Sequence, residues 1–148
     1  MKKYNVTIFG CYTEENRKSM DVYASNLSRS MKLLSSIIYW NINKLYPTLA
    51  KGFISNKLSA GIRLRYCKYF LYPRLASKQN SDISHIIDQS YSYLLNFVDA
   101  NRAVVTVHDL IPILGWKQIF PGLSYPHYPL LYQLSIASLN KAKAIIAV

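Results

Sequence analysis

The sequence predicts an α/β fold built on a parallel, doubly wound sheet. Three observations carry that prediction. Apolar, β-branched runs alternate with segments of helical periodicity along the chain, the pattern that gathers strands into one sheet with helices over its faces. The opening stretch reads strand, loop, helix, the start of a βαβ unit. Ala103–Val107 (Ala-Val-Val-Thr-Val) suits a strand buried on both faces, and it stops abruptly at the polar pair His108-Asp109.

Each element follows in order. Tyr4–Phe9 is the first strand, with Val6, Ile8 and Phe9 as its apolar residues and Gly10 as a tight exit. Cys11–Lys18 is a polar loop. Ser19 fits the N-cap of the first helix and Asp21 the positive end of its dipole. Met20, Tyr23, Ala24, Leu27, Met31 and Leu34 then recur at helical spacing. Ser36–Ile42 reads equally as a second strand or as the tail of that helix. Asn43–Asn56, with Pro47 and Gly52, reads as a loop or broken segment. Lys57–Tyr72 is a helix that Pro73 ends or kinks. Asp82–Ile87 is the third strand, followed by Asp88-Gln89-Ser90, a short helix over Tyr91–Val98 and a turn from Asp99 to Arg102. Arg102–Val107 is the fourth strand. Leu110–Pro129 is a long stretch rich in proline and aromatic residues, of the kind that is commonly functional. Pro129 suits the first position of a helix reaching about Lys143. Ala144–Val148 starts a fifth strand. A parallel α/β domain seldom finishes on a bare strand. Residues 1–148 are therefore expected to be a single domain, incomplete by itself: the N-terminal portion of something longer, or a unit that a partner completes.

The totals bound the function. The chain has 148 residues, of which 51% are hydrophobic, enough for one domain with a core. Cys11 and Cys67 make neither a disulfide framework nor a metal site and suit a reducing compartment. No apolar run is long enough to span a bilayer. The basic start, Met1-Lys2-Lys3, lacks the apolar core of a signal peptide. The expected location is the cytoplasm, including the inner face of a membrane.

The formal net charge is +11, and its distribution is uneven. No acidic residue occurs between Asp21 and Asp82, an interval holding Arg29, Lys32, Lys44, Lys51, Lys57, Arg63, Arg65, Lys68, Arg74 and Lys78. Such a field attracts phospholipid headgroups, phosphorylated acceptors or nucleic acid. Nucleic acid is the weaker branch, because no recognised reading motif is present. On the helical wheel of 57–72, Leu58, Ile62, Tyr66, Tyr69 and Phe70 share one arc, while Lys57, Arg63 and Lys68, with Arg74 and Lys78 beyond the helix, fall on another. The favoured reading puts the apolar arc on the core and the bases in water. The competing one lays the helix on a membrane interface.

In open α/β sheets, ligands bind beyond the carboxyl ends of the strands. His108 and Asp109 stand at such an end. They read as a catalytic pair or, equally, as a hydrogen-bonded histidine and an Asp that caps the next turn. His85 lies inside a strand and is expected to be buried structure.

Three stretches resemble the N-terminal domain of group 1 (family 4-like) glycosyltransferases of the GT-B architecture. Ser19-Met-Asp-Val-Tyr-Ala-Ser-Asn-Leu27 is similar to the helix after the first-strand loop, Asp82-Ile-Ser-His-Ile-Ile-Asp88 to an Asp-Val-x-His strand, and Val104-Val-Thr-Val-His-Asp-Leu-Ile-Pro112 to a His-Asp-Leu segment. Ala144–Val148 matches the strand that follows. The resemblance implies a Rossmann-like acceptor domain facing a second, nucleotide-sugar-binding domain that is not in this sequence. No cofactor is expected on this chain, and the donor is expected mainly on the other domain. His108 would sit near the reacting sugar, where an imidazole can accept from or donate to a hydroxyl. Asp109 would orient it or bind a hydroxyl. Asp88, Gln89 and Ser90 would line the same edge, opposite Gly10 and the loop Thr13–Ser19. Relatives carry a glycine-rich first loop; here Arg17 and Lys18 stand at the helix start, either gripping an acceptor phosphate or forming a solvated basic turn. Two functions follow: the acceptor half of a retaining glycosyltransferase that moves sugar to a polysaccharide or glycolipid, or a non-catalytic basic module docking on anionic membrane or nucleic acid.

Overall fold

Five strands among the described residues lie side by side and run in the same direction. They are β1 (Lys3–Phe9), β2 (Tyr39–Leu45), β3 (Ile83–Ile86), β4 (Ala103–Val107) and β5 (Ala144–Ala147), paired in the order β2-β1-β3-β4-β5. The computed structural model describes residues 2–34, 38–48, 59–108 and 130–148. The expectations that fall on 35–37, 49–58 and 109–129, Asp109 and the proline-rich stretch after it among them, lie outside the described residues. The order is one of the two common doubly wound arrangements, in which the winding reverses between β1 and β3. The predicted α/β class with a parallel, Rossmann-like sheet is therefore what the chain forms.

Strand periodicity sends successive side chains to opposite faces. On one face Val6, Ile8 and Ile87 pack under α1 (Lys18–Leu33), meeting Ala24, Tyr23, Leu27 and Met31. On the other, Phe9, Ile86 and Val105 pack with Tyr72, Tyr91 and Leu94 from the helical segments that follow β2 and β3. Those segments are a composite helix, α2 (Ala60–Ala76), and a 3-10 helix (Gln89–Asn96) against which α3 (Leu130–Ser138) rests.

Several boundaries differ from expectation, each for a local reason. Arg17, not Ser19, is the N-cap residue of α1, with no side-chain cap; Ser19 lies in the first turn. Residues 39–45 are strand, so Asn43–Leu45 belongs to β2 and not to a loop. Full pairing of β2 with β1 fixes this choice over the helix tail. The expected helix over Tyr91–Val98 is a 3-10 helix that starts at Gln89 and ends at Asn96, short of Val98; Asp88 caps it, its carboxylate accepting from the Ser90 N–H (2.7 Å). After α3 the chain tightens into a 3-10 turn that ends at Lys141, short of the expected Lys143.

Pro73 does not end the helix. The segment α2 runs in three pieces, α-helical over Ala60–Tyr66, π-helical over Cys67–Leu71 and α-helical over Tyr72–Ala76. The Tyr72 N–H bonds to the Cys67 carbonyl, five residues back. That widened turn makes room for the proline ring, which would otherwise clash with the turn before it. The side of α2 that meets the core is also not the predicted one. Cys67, Lys68, Tyr72 and Ala76 are buried, whereas Ile62, Tyr66 and Phe70 are exposed. The helix carries two apolar stripes, and the inner one wins because Tyr72 fits between Phe9 and Tyr91 and its hydroxyl reaches the Gly10 and Leu45 carbonyls (2.8 and 3.2 Å).

Candidate functional site

The winding of the sheet brings two loops together at the carboxyl ends of β1 and β3. The loop after β1 leaves through Gly10, whose N–H donates to the Leu45 carbonyl (2.9 Å). Its lack of a side chain is a matter of space: a Cβ would overlap the Tyr46 ring. Gly10 is thus buried beneath Tyr46. Beyond it Thr13–Glu15 forms a 3-10 turn, and Asn16 takes a left-handed conformation (φ 51°), one that asparagine tolerates. This reversal directs Arg17 back across the sheet edge.

Arg17 meets the second loop. Its Nη1 donates to Asp88 Oδ2 (2.5 Å) and reaches Ser90 Oγ (3.4 Å), and its Nε lies 3.1 Å from Glu15 Oε2. Glu15 in turn receives Lys68 Nζ (2.7 Å) and the Tyr91 hydroxyl (2.9 Å). Lys68 is only 8% exposed, and its ammonium stands 4.2 Å from the centre of the Tyr91 ring. Asp88, Arg17, Glu15 and Lys68 therefore form an alternating row of four charges with no net charge.

The row sets the protonation of its neighbours. Burial pushes the Asp88 carboxyl up, but the Ser90 hydrogen bonds and Arg17 outweigh it, so its pKa lies below the usual carboxylate value. Burial works against the Arg17 charge as well, and Asp88 and Glu15 more than restore it. The Cys11 thiol, 3.8 Å from Asp88 Oδ2, is pushed far up by burial and by that carboxylate, so it is no nucleophile at neutral pH. Burial likewise keeps the Tyr91 hydroxyl neutral.

His108 stands beside this row at the end of β4, half-buried. Its backbone N–H donates to Gln89 Oε1 (3.2 Å), and its Nε2 lies 2.8 Å from the Ile87 carbonyl oxygen. A carbonyl only accepts, so Nε2 carries the proton, and in the neutral ring Nδ1 keeps its lone pair. Among the described residues Nδ1 has no partner. Tyr23 presents its ring edge-on to His108 (centroids 5.0 Å apart) and passes its hydroxyl to Thr106 Oγ1 (3.0 Å), which also meets His85 Nε2 (2.8 Å). His85 is buried, as its place in a strand predicts. Burial, followed by the nearby His108, lowers its pKa to about 4, so it is neutral at physiological pH.

Of the residues singled out in the sequence, His108, Arg17, Asp88, Gln89 and Ser90 come together at one edge. Lys18, Ser19 and Thr13 are exposed at its margin, Thr13 turned towards Glu14 Oε2 (2.7 Å) and the Pro47 carbonyl. Glu15 joins the site from the loop Thr13–Ser19 expected as its opposite wall; Lys68, Tyr91 and Tyr23 join it without having been expected there. The alternation of acid and base in Glu15-Asn16-Arg17 is a signal for the first; for Lys68, 53 residues further along the chain, there is none. Among the described residues no group of three or more His, Cys, Asp and Glu side chains is placed to hold a metal ion.

No protein-family model, curated protein or solved structure matches this chain.

Proposed function

We propose that this chain is the acceptor-binding half of a retaining glycosyltransferase that moves a sugar from a nucleotide-sugar to a polysaccharide or glycolipid. The observation that carries the reading is His108 Nδ1: an imidazole lone pair at the carboxyl edge of a parallel sheet, held in one tautomer by the Ile87 carbonyl beside the Asp88–Arg17 pair. A sugar hydroxyl can donate to that nitrogen. The charge-balanced row favours the same chemistry, since two carboxylates already occupy Arg17. A phosphate would have to displace them, while a neutral hydroxylated ligand can bond to their outer lone pairs. This matches an acceptor site better than a nucleotide site. Asp109 completes the proposed pair, as a group that orients the imidazole or binds a hydroxyl, and Thr13, Lys18 and Ser19 would frame the acceptor, with Gly10 behind them beneath Tyr46.

The test is sugar transfer from a panel of radiolabelled nucleotide-sugars to lipid and polysaccharide fractions, using the intact protein as its own cells produce it. His108→Ala is expected to lower transfer by orders of magnitude. Near-normal transfer by that variant removes His108 from the mechanism, and no transfer from any donor overturns the reading.

A further inference from the structure

The outer side of α2 does not face bare solvent in isolation. With the 3-10 helix Gln89–Asn96 and α3 it encloses an open groove of about 880 Å³. Its apolar wall comes from three elements: Ile62, Tyr66 and Phe70 from α2, Phe97 from the end of the 3-10 helix, and Leu134 from α3. These side chains are 40–64% exposed, Phe70 the most. Tyr66 and Phe70 stack on one another (5.5 Å between centroids), which holds them as a plate rather than as two loose rings. Clustered exposure of this kind marks an interaction surface, unlike the scattered apolar residues of an ordinary exterior.

The charges around the groove identify its partner. Arg65 and Lys141 are the charged residues among the described residues of its lining, which include no carboxylate. Arg74, and Lys78 just past the end of α2, line a neighbouring pocket that shares Tyr66 with the groove, and residues 59–78 contain no acid. Among the described residues Arg65, Arg74 and Lys78 have no ion-pair partner. Aromatic and aliphatic side chains beside unpaired arginine and lysine are the make-up of a surface that settles at the headgroup boundary of a bilayer, with rings in the acyl margin and cations among lipid phosphates. We infer that this groove and the outer side of α2 dock the protein on an anionic phospholipid bilayer. The inference is independent of the sugar chemistry proposed above, since none of these residues belongs to that site.

Flotation with vesicles tests it. Wild-type protein should float with phosphatidylcholine vesicles that contain phosphatidylglycerol, not with phosphatidylcholine alone, and high salt should release it. Arg65→Glu and Lys141→Glu should each weaken binding about fivefold or more. Ile62→Ser with Phe70→Ser, both exposed and so harmless to folding, should abolish it, whereas His108→Ala should float as the wild type does. Three outcomes overturn the proposal: no flotation with anionic vesicles, flotation unchanged by the double serine variant, or a lipid-free dimer in sedimentation velocity that the double serine variant dissociates. Wild-type protein that floats but transfers no sugar would count against the catalytic reading alone.

Discussion

Lys68 on the inner side of α2 is 8% exposed, and Phe70, two residues on, is 64% exposed on the outer side. The usual placement of charge and apolar surface is inverted within half a turn of one helix. The inner side tolerates a lysine because the charge is met: Glu15 pairs with it and the Tyr91 ring lies under it. The outer side leaves a phenylalanine in water because no described element covers it. Burial here follows available partners more closely than side-chain hydropathy. A residue's position on a wheel does not say which side of a two-striped helix the fold will choose.

The comparison breaks most sharply at Glu15. Glu15→Ala strands Lys68 in the interior and removes one of the two carboxylates on Arg17. A loss of about 3–5 kcal/mol in urea unfolding is expected. Lys68→Met should be much milder, since Glu15 keeps Arg17 and the Tyr91 hydroxyl. Equal and small effects of the two would show that the row does not compensate the buried charge.

His85 offers a second solution to the same problem: a buried base that stays neutral. Its folded pKa of about 4 lies below the ordinary 6.5, so the unfolded chain binds the extra proton first. Stability contributed by the neutral ring is complete above pH 6.5 and is lost as pH falls towards 4. The full loss is about 3 kcal/mol. Asp88, whose pKa is also lowered, adds a further loss below the ordinary carboxylate range. Urea melts between pH 7 and pH 4 should show the decline, and His85→Gln should flatten it. An unchanged slope in that variant would assign the decline elsewhere.

The smallest expected effect is on the outer side. Phe70→Ser should change stability by no more than about 0.5 kcal/mol, because the ring packs on little besides Tyr66. A larger loss would mean that the groove wall is structural and not a spare surface.

These contrasts also explain what the sequence could and could not reveal. The β-branched runs at Val6–Phe9, Ile83–Ile87 and Val104–Val107 announce strands because nothing else in a chain this size packs such residues so well. The alternation of βα units then leaves few ways to wind the sheet. β2 is harder to read: Tyr-Trp-Asn-Ile-Asn-Lys-Leu is half-polar, and only pairing with β1 decides it. The edge site was legible as positions at strand ends, His108 and Asp88 foremost. Its long-range members were not, because Lys68 reaches Glu15 across fifty-three positions of chain. The π turn before Pro73 and the fit of Tyr46 over Gly10 are equally invisible, being solutions to contacts made only after folding.

One eight-residue element touches both of the regions compared. The 3-10 helix begins at Gln89, which holds the His108 backbone, and finishes just before Phe97 in the groove wall. At about 2 Å per residue it spans about 16 Å. On the docking proposed above it would act as a ruler, setting the distance between the lipid-seated groove and the imidazole. If both proposals hold, only an acceptor whose anchor-to-hydroxyl reach matches that height could present its hydroxyl, and chain length itself would become a basis for selection.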